Sequence, residues 1–213
     1  MNKTLLIFLI VVLLVLLIFP HFTDEILDYA TQNIAKPVIY LYPEEKTEVT
    51  VKLDYAGELT CVYPEYIQGW QVTARPDGTL FDKNGKEYYC LYWEGSALDC
   101  WDMDQGFCIP GRDTAAFLED ALCKLGLNRR EANEFIIYWL PQMETNNWNL
   151  ISFQQETYTD AAKLDISPAP DTLIRVFMTW KPLDAPVEIE SQVLTAPKRT
   201  GFTVVEWGGS RIG

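Results

Sequence analysis

Hydrophobic and polar positions along this chain follow three different periods. From Leu5 to Phe19 every side chain is Leu, Ile, Val or Phe, and no formal charge occurs between Lys3 and Asp24. A run of that apolarity leaves water for a membrane or a translocon. From residue 37 onward the period drops to two. Glu48 to Tyr55 places Val49, Val51, Leu53 and Tyr55 on one face and Glu48, Thr50, Lys52 and Asp54 on the other. That alternation predicts a half-buried antiparallel strand. Ala56-Gly57 then predicts a hairpin into a strand over 58–63. Strands are also predicted over 37–43, 70–74, 79–82 and 86–93, with a turn at Pro76-Asp77-Gly78 and a type I′ hairpin at Asn84-Gly85. Residues 95–112 are rich in Gly and Asp and read as a loop.

The middle of the chain has helical spacing. Phe117, Leu118, Ala121, Leu122 and Leu125 share a face after an Asp113/Thr114 cap, and Gly126 closes that helix. Asn128 and Glu131 fit a capping box opening a second helix, whose apolar face is Ala132, Phe135, Ile136, Trp139 and Leu140. Pro141 is expected to end it, and Glu134 is expected on its solvated side. Strands return over 150–153, 172–180 and 202–207. The 172–180 segment is apolar on both faces, which places it centrally. The expected class is α+β: a mostly antiparallel β-sheet domain over 37–213 with an inserted helical hairpin at about 113–141. One N-terminal transmembrane helix within 1–23 and a juxtamembrane stalk over 24–36 are expected to precede it.

Charge orients the first segment. Lys3 stands before the apolar run, and Asp24 and Glu25 follow it, which puts the N-terminus in the cytoplasm and the C-terminal domain outside. The exit Ile18-Phe19-Pro20-His21-Phe22 is bulky and unlike an Ala-x-Ala cleavage site, so the expectation is an uncleaved signal-anchor. A cleaved signal peptide and a buried soluble helix are the alternatives. The localisation that follows is a single-pass cell-membrane protein held through residues 4–23, its domain extracytoplasmic.

The net charge is −13, and Lys3 is the only charged residue of the first 22, so about −14 falls on the remainder. Such a surface argues against nucleic acid and anionic headgroups as partners, since both need Lys/Arg patches. Five cysteines gain meaning from an extracytoplasmic location. Cys100 and Cys108 would close a short loop, Cys61 and Cys90 would pair across strands, and Cys123 would be a core thiol. No CxxC motif occurs.

Four segments carry a resemblance: Lys36-Pro-Val-Ile-Tyr-Leu-Tyr-Pro-Glu44, Tyr92-Trp-Glu-Gly95, Glu131 to Pro141, and Val204-Val-Glu-Trp-Gly208. They resemble an uncharacterised family of bacterial proteins, secreted or membrane-anchored, over roughly Lys36 to Gly208. The resemblance implies location and fold unity, and carries no chemistry.

The catalytic inventory is thin. His21 is the sole histidine and lies beside the apolar run, which removes Ser/His/Asp and Cys/His systems and His-ligated zinc. No GxSxG, P-loop or GxGxxG occurs, and no cofactor is expected. Trp93-Glu94-Gly95 and Glu206-Trp207-Gly208 each set an acid beside an indole at a strand end. Two such acids are what glycoside cleavage requires if they meet, and structural packing if they do not. Asp99, Asp102 and Asp104 form an acidic loop, either a calcium site or a solvated turn. The expected function is a cell-envelope binding or interaction module, with Tyr92, Trp93 and Trp207 as exposed aromatics for a glycan or envelope protein. The alternative is a glycan-directed hydrolase using Glu94 and Glu206.

Overall fold

The computed structural model describes residues 34–96 and 101–212. The apolar run and all but the last residues of the stalk lie outside the described residues, as do Asp99 and Cys100. In chain order the first strands are β1 (Ala35–Tyr42), β2 (Thr47–Tyr55), β3 (Leu59–Tyr63), β4 (Trp70–Ala74), β5 (Leu80–Phe81), β6 (Glu87–Tyr88), β7 (Leu91–Gly95) and β8 (Phe107–Pro110). Helices α1 (Thr114–Lys124) and α2 (Arg129–Met143) follow, then β9 (Trp148–Gln154), α3 (Glu156–Ala161), β10 (Ala162–Ser167), β11 (Thr172–Leu183) and β12 (Thr203–Arg211).

The strands divide between two sheets. One has seven strands in the order β3-β7-β1-β12-β11-β9-β8, the other five in the order β10-β2-β4-β5-β6. Alternation along β1 shows how they stack. Ile39 and Leu41 pack with Val49, Val51, Trp70 and Val72 of the smaller sheet, while Val38 and Tyr40 pack with Leu118, Leu122, Phe135 and Trp139 of the helices. The seven-stranded sheet is therefore a middle layer, covered on one face by the other sheet and on the other by α1 and α2. This explains β12, which is buried at every position from Thr203 to Ser210. A strand with both faces covered has no polar side to alternate with.

The expected class is corrected on two points. The protein is mostly β, with helix at 20 %, and the β is arranged as two stacked sheets. Their pairings are mostly antiparallel, as expected, with β11 and β12 running parallel in register from Thr172↔Thr203 to Trp180↔Arg211. Finally, among the described residues no helix is long and apolar enough to cross a membrane.

Local expectations fare unevenly. The capping box is present, with Asn128 accepting from the Glu131 backbone N–H and Glu131 accepting from that of Asn128. Pro141 does not end α2, which continues to Met143. The β2–β3 hairpin does not form: β2 pairs with β10 and β4, whereas β3 pairs with β7 in the other sheet. At Asn84-Gly85 a hairpin does form, joining β5 to β6. Only Gly85 has positive φ there, so the turn is not type I′, which needs two such residues. The loop over 95–112 contains β8, and α3 and β10 lack a period strong enough to announce them.

The 19-residue stretch between β11 and β12 is a coil strap and not a crossover helix. Side chains pin it: Gln192 bonds both the N–H (2.8 Å) and C=O (2.9 Å) of Phe153, and the Thr200 N–H donates to Thr172 Oγ1 (3.0 Å). Arg199 donates to the Gly126 carbonyl at 2.7 Å and ion-pairs with the fully buried Glu131.

Cys61, Cys90, Cys108 and Cys123 are free thiols. The Cys61–Cys90 disulfide is thereby corrected, because Cys61 sits exposed in β3 opposite Glu94 while Cys90 precedes β7. Cys123 is exposed and not in the core. Cys108 accepts a hydrogen bond from the Val187 N–H at 3.4 Å.

Candidate functional site

Residues that share a strand face also share a fate here. Ile39 opposes both Glu206 on β12 and Leu91 on β7, so Glu206 lies on the same face as Leu91 and Trp93. Val38 opposes Trp207 and Tyr92, so Glu94, two residues beyond Tyr92, lies on the other face. Glu94 and Glu206 thus occupy opposite sides of the middle sheet and cannot act as one acid/base pair. This corrects the catalytic expectation.

Glu206 has a different role. It is fully buried between the two sheets, where its carboxylate accepts from Arg175 Nε at 2.7 Å and from the Trp93 indole N–H at 3.1 Å. The Arg175 guanidinium stands 4.7 Å from the Tyr158 ring centroid. Burial lowers the Arg175 pKa, but the facing Glu206 charge, with Tyr158, more than offsets it and leaves it raised. Burial, followed by that same charge, pushes the Tyr158 phenol well up. Trp93 and Trp207 are each wholly buried and belong to the two cores, so neither is an exposed anchor.

Of the three expected aromatics, only Tyr92 reaches a surface hollow, and it does so with tyrosines that sequence reasoning did not single out. A cleft of 430 Å³ opens where the helices stop covering the middle sheet. Tyr63, Tyr88, Tyr89 and Tyr92 line it with Lys36, and Cys90 and Val38 contribute its apolar parts. Two further hollows adjoin it. One of 830 Å³ lies beyond Tyr63 and Tyr88, and one of 230 Å³ lies beyond Glu87, Tyr88 and Tyr89. Together they make a trough interrupted by tyrosine rings. Tyr63 and Tyr89 are each 52 % exposed, an unusual amount for ring surface that no element covers.

Local backbone geometry sets the cleft floor. β1 carries a bulge between Ala35 and Val38, and within it Lys36 has φ +62°. A side chain in that left-handed region costs about 1 kcal/mol, and bulges re-aim side chains. The Lys36 N–H is held by Glu94 Oε1 at 3.3 Å, and Pro37 lies flush against Gly208, where a Cβ would approach Pro37 to 3.0 Å. The result aims the Lys36 ammonium between two rings, 5.8 Å from the Tyr92 centroid and 5.3 Å from that of Tyr138. All four segments of the sequence resemblance meet at this point.

The arrangement repeats once. Lys86 Nζ lies 5.5 Å from the Tyr63 centroid and 5.3 Å from that of Tyr88. At the far end the Arg130 guanidinium is 5.8 Å from the Tyr89 ring and pairs with Glu134 at 3.4 Å. Glu134 is not on the solvated side of α2, as expected, but accepts from the Tyr40 hydroxyl at 2.6 Å beneath the cleft.

Burial and nearby acids keep the tyrosines and Cys90 of the lining protonated. Burial, then hydrogen bonding to the Glu94 carboxylate, raises the Tyr92 pKa, and burial followed by the Glu94 charge does the same for Tyr138. Burial, then the Glu134 charge, pushes the Cys90 thiol up to about 12, so it is a thiol and not a nucleophilic thiolate. These groups offer flat apolar rings, phenolic hydroxyls and two ammoniums, a set suited to holding a ligand. Asp102 accepts from the Asp104 N–H at 2.8 Å, and no group of three His, Cys, Asp or Glu placed to hold a metal occurs among the described residues.

No family model matches this chain, and no solved structure matches it. Among curated proteins it is similar to the "Uncharacterized protein in bglA 3'region" of Butyrivibrio fibrisolvens, with 49 % identity over 63 residues. That stretch is 28 % of this chain and 65 % of the relative, so the chain spans just under two thirds of the protein it matches.

Proposed function

We propose that this chain is a binding module of the cell envelope, facing outward, whose tyrosine-lined cleft holds an extended glycan. The cleft itself supports this reading most strongly: tyrosine rings, those of Tyr63 and Tyr89 half exposed, border three adjoining hollows with phenolic tips between them. Pyranose rings present apolar C–H faces and equatorial hydroxyls, which an aromatic face and a phenolic rim complement. The apolar run Leu5–Phe19 supports an extracytoplasmic site, where such polymers occur. A Glu94/Glu206 hydrolase is set aside because those carboxyls are on opposite sides of a sheet.

The test is a glycan array probed with the full chain in detergent, repeated with Tyr88→Ala. Tyr88 borders all three hollows, so its loss should weaken any glycan bound by about tenfold. An array with no glycan bound, or one bound equally by both proteins, would refute the reading.

A further inference from the structure

We infer that the cleft selects a negatively charged sugar, with the Lys36 ammonium as the group that reads the charge. This rests on the glycan reading of the same cleft and goes beyond it in naming the ligand's chemical class. Lys36 and Lys86 both reach into the trough, and neither forms an ion pair within 4.0 Å among the described residues. Each instead lies near two tyrosine rings, Lys36 within 5.8 Å of the Tyr92 and Tyr138 centroids and the exposed Lys86 within 5.5 Å of those of Tyr63 and Tyr88. A cation so placed is oriented but uncommitted, and a ligand anion can take its donors.

The neighbouring acids are largely engaged elsewhere. Glu94 accepts from the Lys36 backbone N–H, and Glu134 holds Arg130 and the Tyr40 hydroxyl. Of the remaining acids, Glu87 stands on the exposed rim of the cleft, and Glu65, Asp82 and Asp77 border the adjoining hollows. The chain as a whole carries −13, so an anionic polymer is repelled by most of its surface and favoured only where lysines cluster. Lys36 also holds a backbone conformation that most residues avoid, kept by the bulge, Pro37 and Gly208. Strain retained at a position that aims a cation into the cleft supports a binding role for it. An ammonium reads charge as a point and accepts carboxylate or phosphate alike, so an acidic sugar of either kind fits.

Calorimetric titration of the full chain in detergent with three hexameric probes tests this: an oligogalacturonate, its carboxyl-reduced form, and a sugar phosphodiester oligomer. The wild type should bind at least one acidic probe about tenfold more tightly than the reduced one. Which acidic probe binds better identifies the anion. Lys36→Gln should abolish the preference, so that acidic and reduced probes bind alike, and Lys36→Arg should keep it. Lys86→Gln, lying outside the bulge, should reduce it without any change in fold, as circular dichroism would verify. Raising NaCl from 0.05 to 0.3 M should weaken only the acidic probes. Equal binding of acidic and reduced probes by the wild type, or a preference that survives Lys36→Gln, overturns the inference. Binding of neither acidic probe overturns it too. If Tyr88→Ala leaves all affinities unchanged while binding persists, it is the cleft reading that fails.

Discussion

At the scale of single residues, Lys36 and Glu206 show what the chain's chemistry is used for. Lys36 sits at φ +62°, a conformation glycine adopts without strain. Lys36→Gly should therefore stabilise the fold by about 1 kcal/mol in urea unfolding while abolishing preference for an anionic probe. Equal or lower stability would show that no strain is held there. Glu206 is the opposite case, a charge kept for packing. Arg175→Met leaves that carboxylate buried and held by the Trp93 indole alone, which should cost about 3 kcal/mol. Glu94 is only half-buried, so Glu94→Gln should cost no more than about 1 kcal/mol in the same assay. Sequence reasoning ranked these two glutamates alike because each adjoins a Trp and a Gly. Only the register of β7 and β12 against β1 separates them.

At the scale of elements, the strands with clean alternation or strong β-branched content, β1, β2, β4, β9, β11 and β12, were legible because one or both faces bury apolar side chains. The α2 cap was legible because Asn128 and Glu131 act locally. What failed was long-range. Alternation does not reveal that a strand's second face is also covered, which is why Trp93 and Trp207 read as exposed and are buried. It equally cannot say that the chain leaves one sheet at Ala56-Gly57 and enters the other. Tyr88 and Tyr89 were not singled out, because nothing in the local pattern shows which rings of a strand the other elements leave uncovered. The β1 bulge ties these elements together through Gly208. Gly208→Ala brings a Cβ within 3.1 Å of the Pro37 Cα and backbone N, so it should shift the bulge. The expected outcome is about 1 kcal/mol lost, together with weaker binding of any ligand that Lys36 contacts. Unchanged binding with lowered stability would separate the bulge from the cleft.

At the scale of the whole molecule, stability and binding follow from the same layered arrangement. The buried Tyr40, Tyr158 and Cys90 have folded-state pKa values raised above their ordinary 10.0, 10.0 and 9.0. Protonated in the fold, they contribute full stability below those ordinary values. That contribution is lost as pH rises past about 9 for Cys90 and past about 10 for the tyrosines, by about 1.4 kcal/mol per pH unit and group. Melting followed by circular dichroism should show Tm level near pH 8 and falling steadily above pH 9. A Tm constant to pH 11 would contradict the burial of these groups. The central claim is that the tyrosine cleft is the ligand site, and titration calorimetry on a glycan identified by the array tests it most directly. The full chain is compared with Tyr63→Ala/Tyr88→Ala and with Val193→Ser, a change at an exposed strap residue outside the cleft. The account predicts at least about tenfold weaker binding for the cleft variant and none for the strap variant. A folded cleft variant that binds as tightly as the wild type would contradict it.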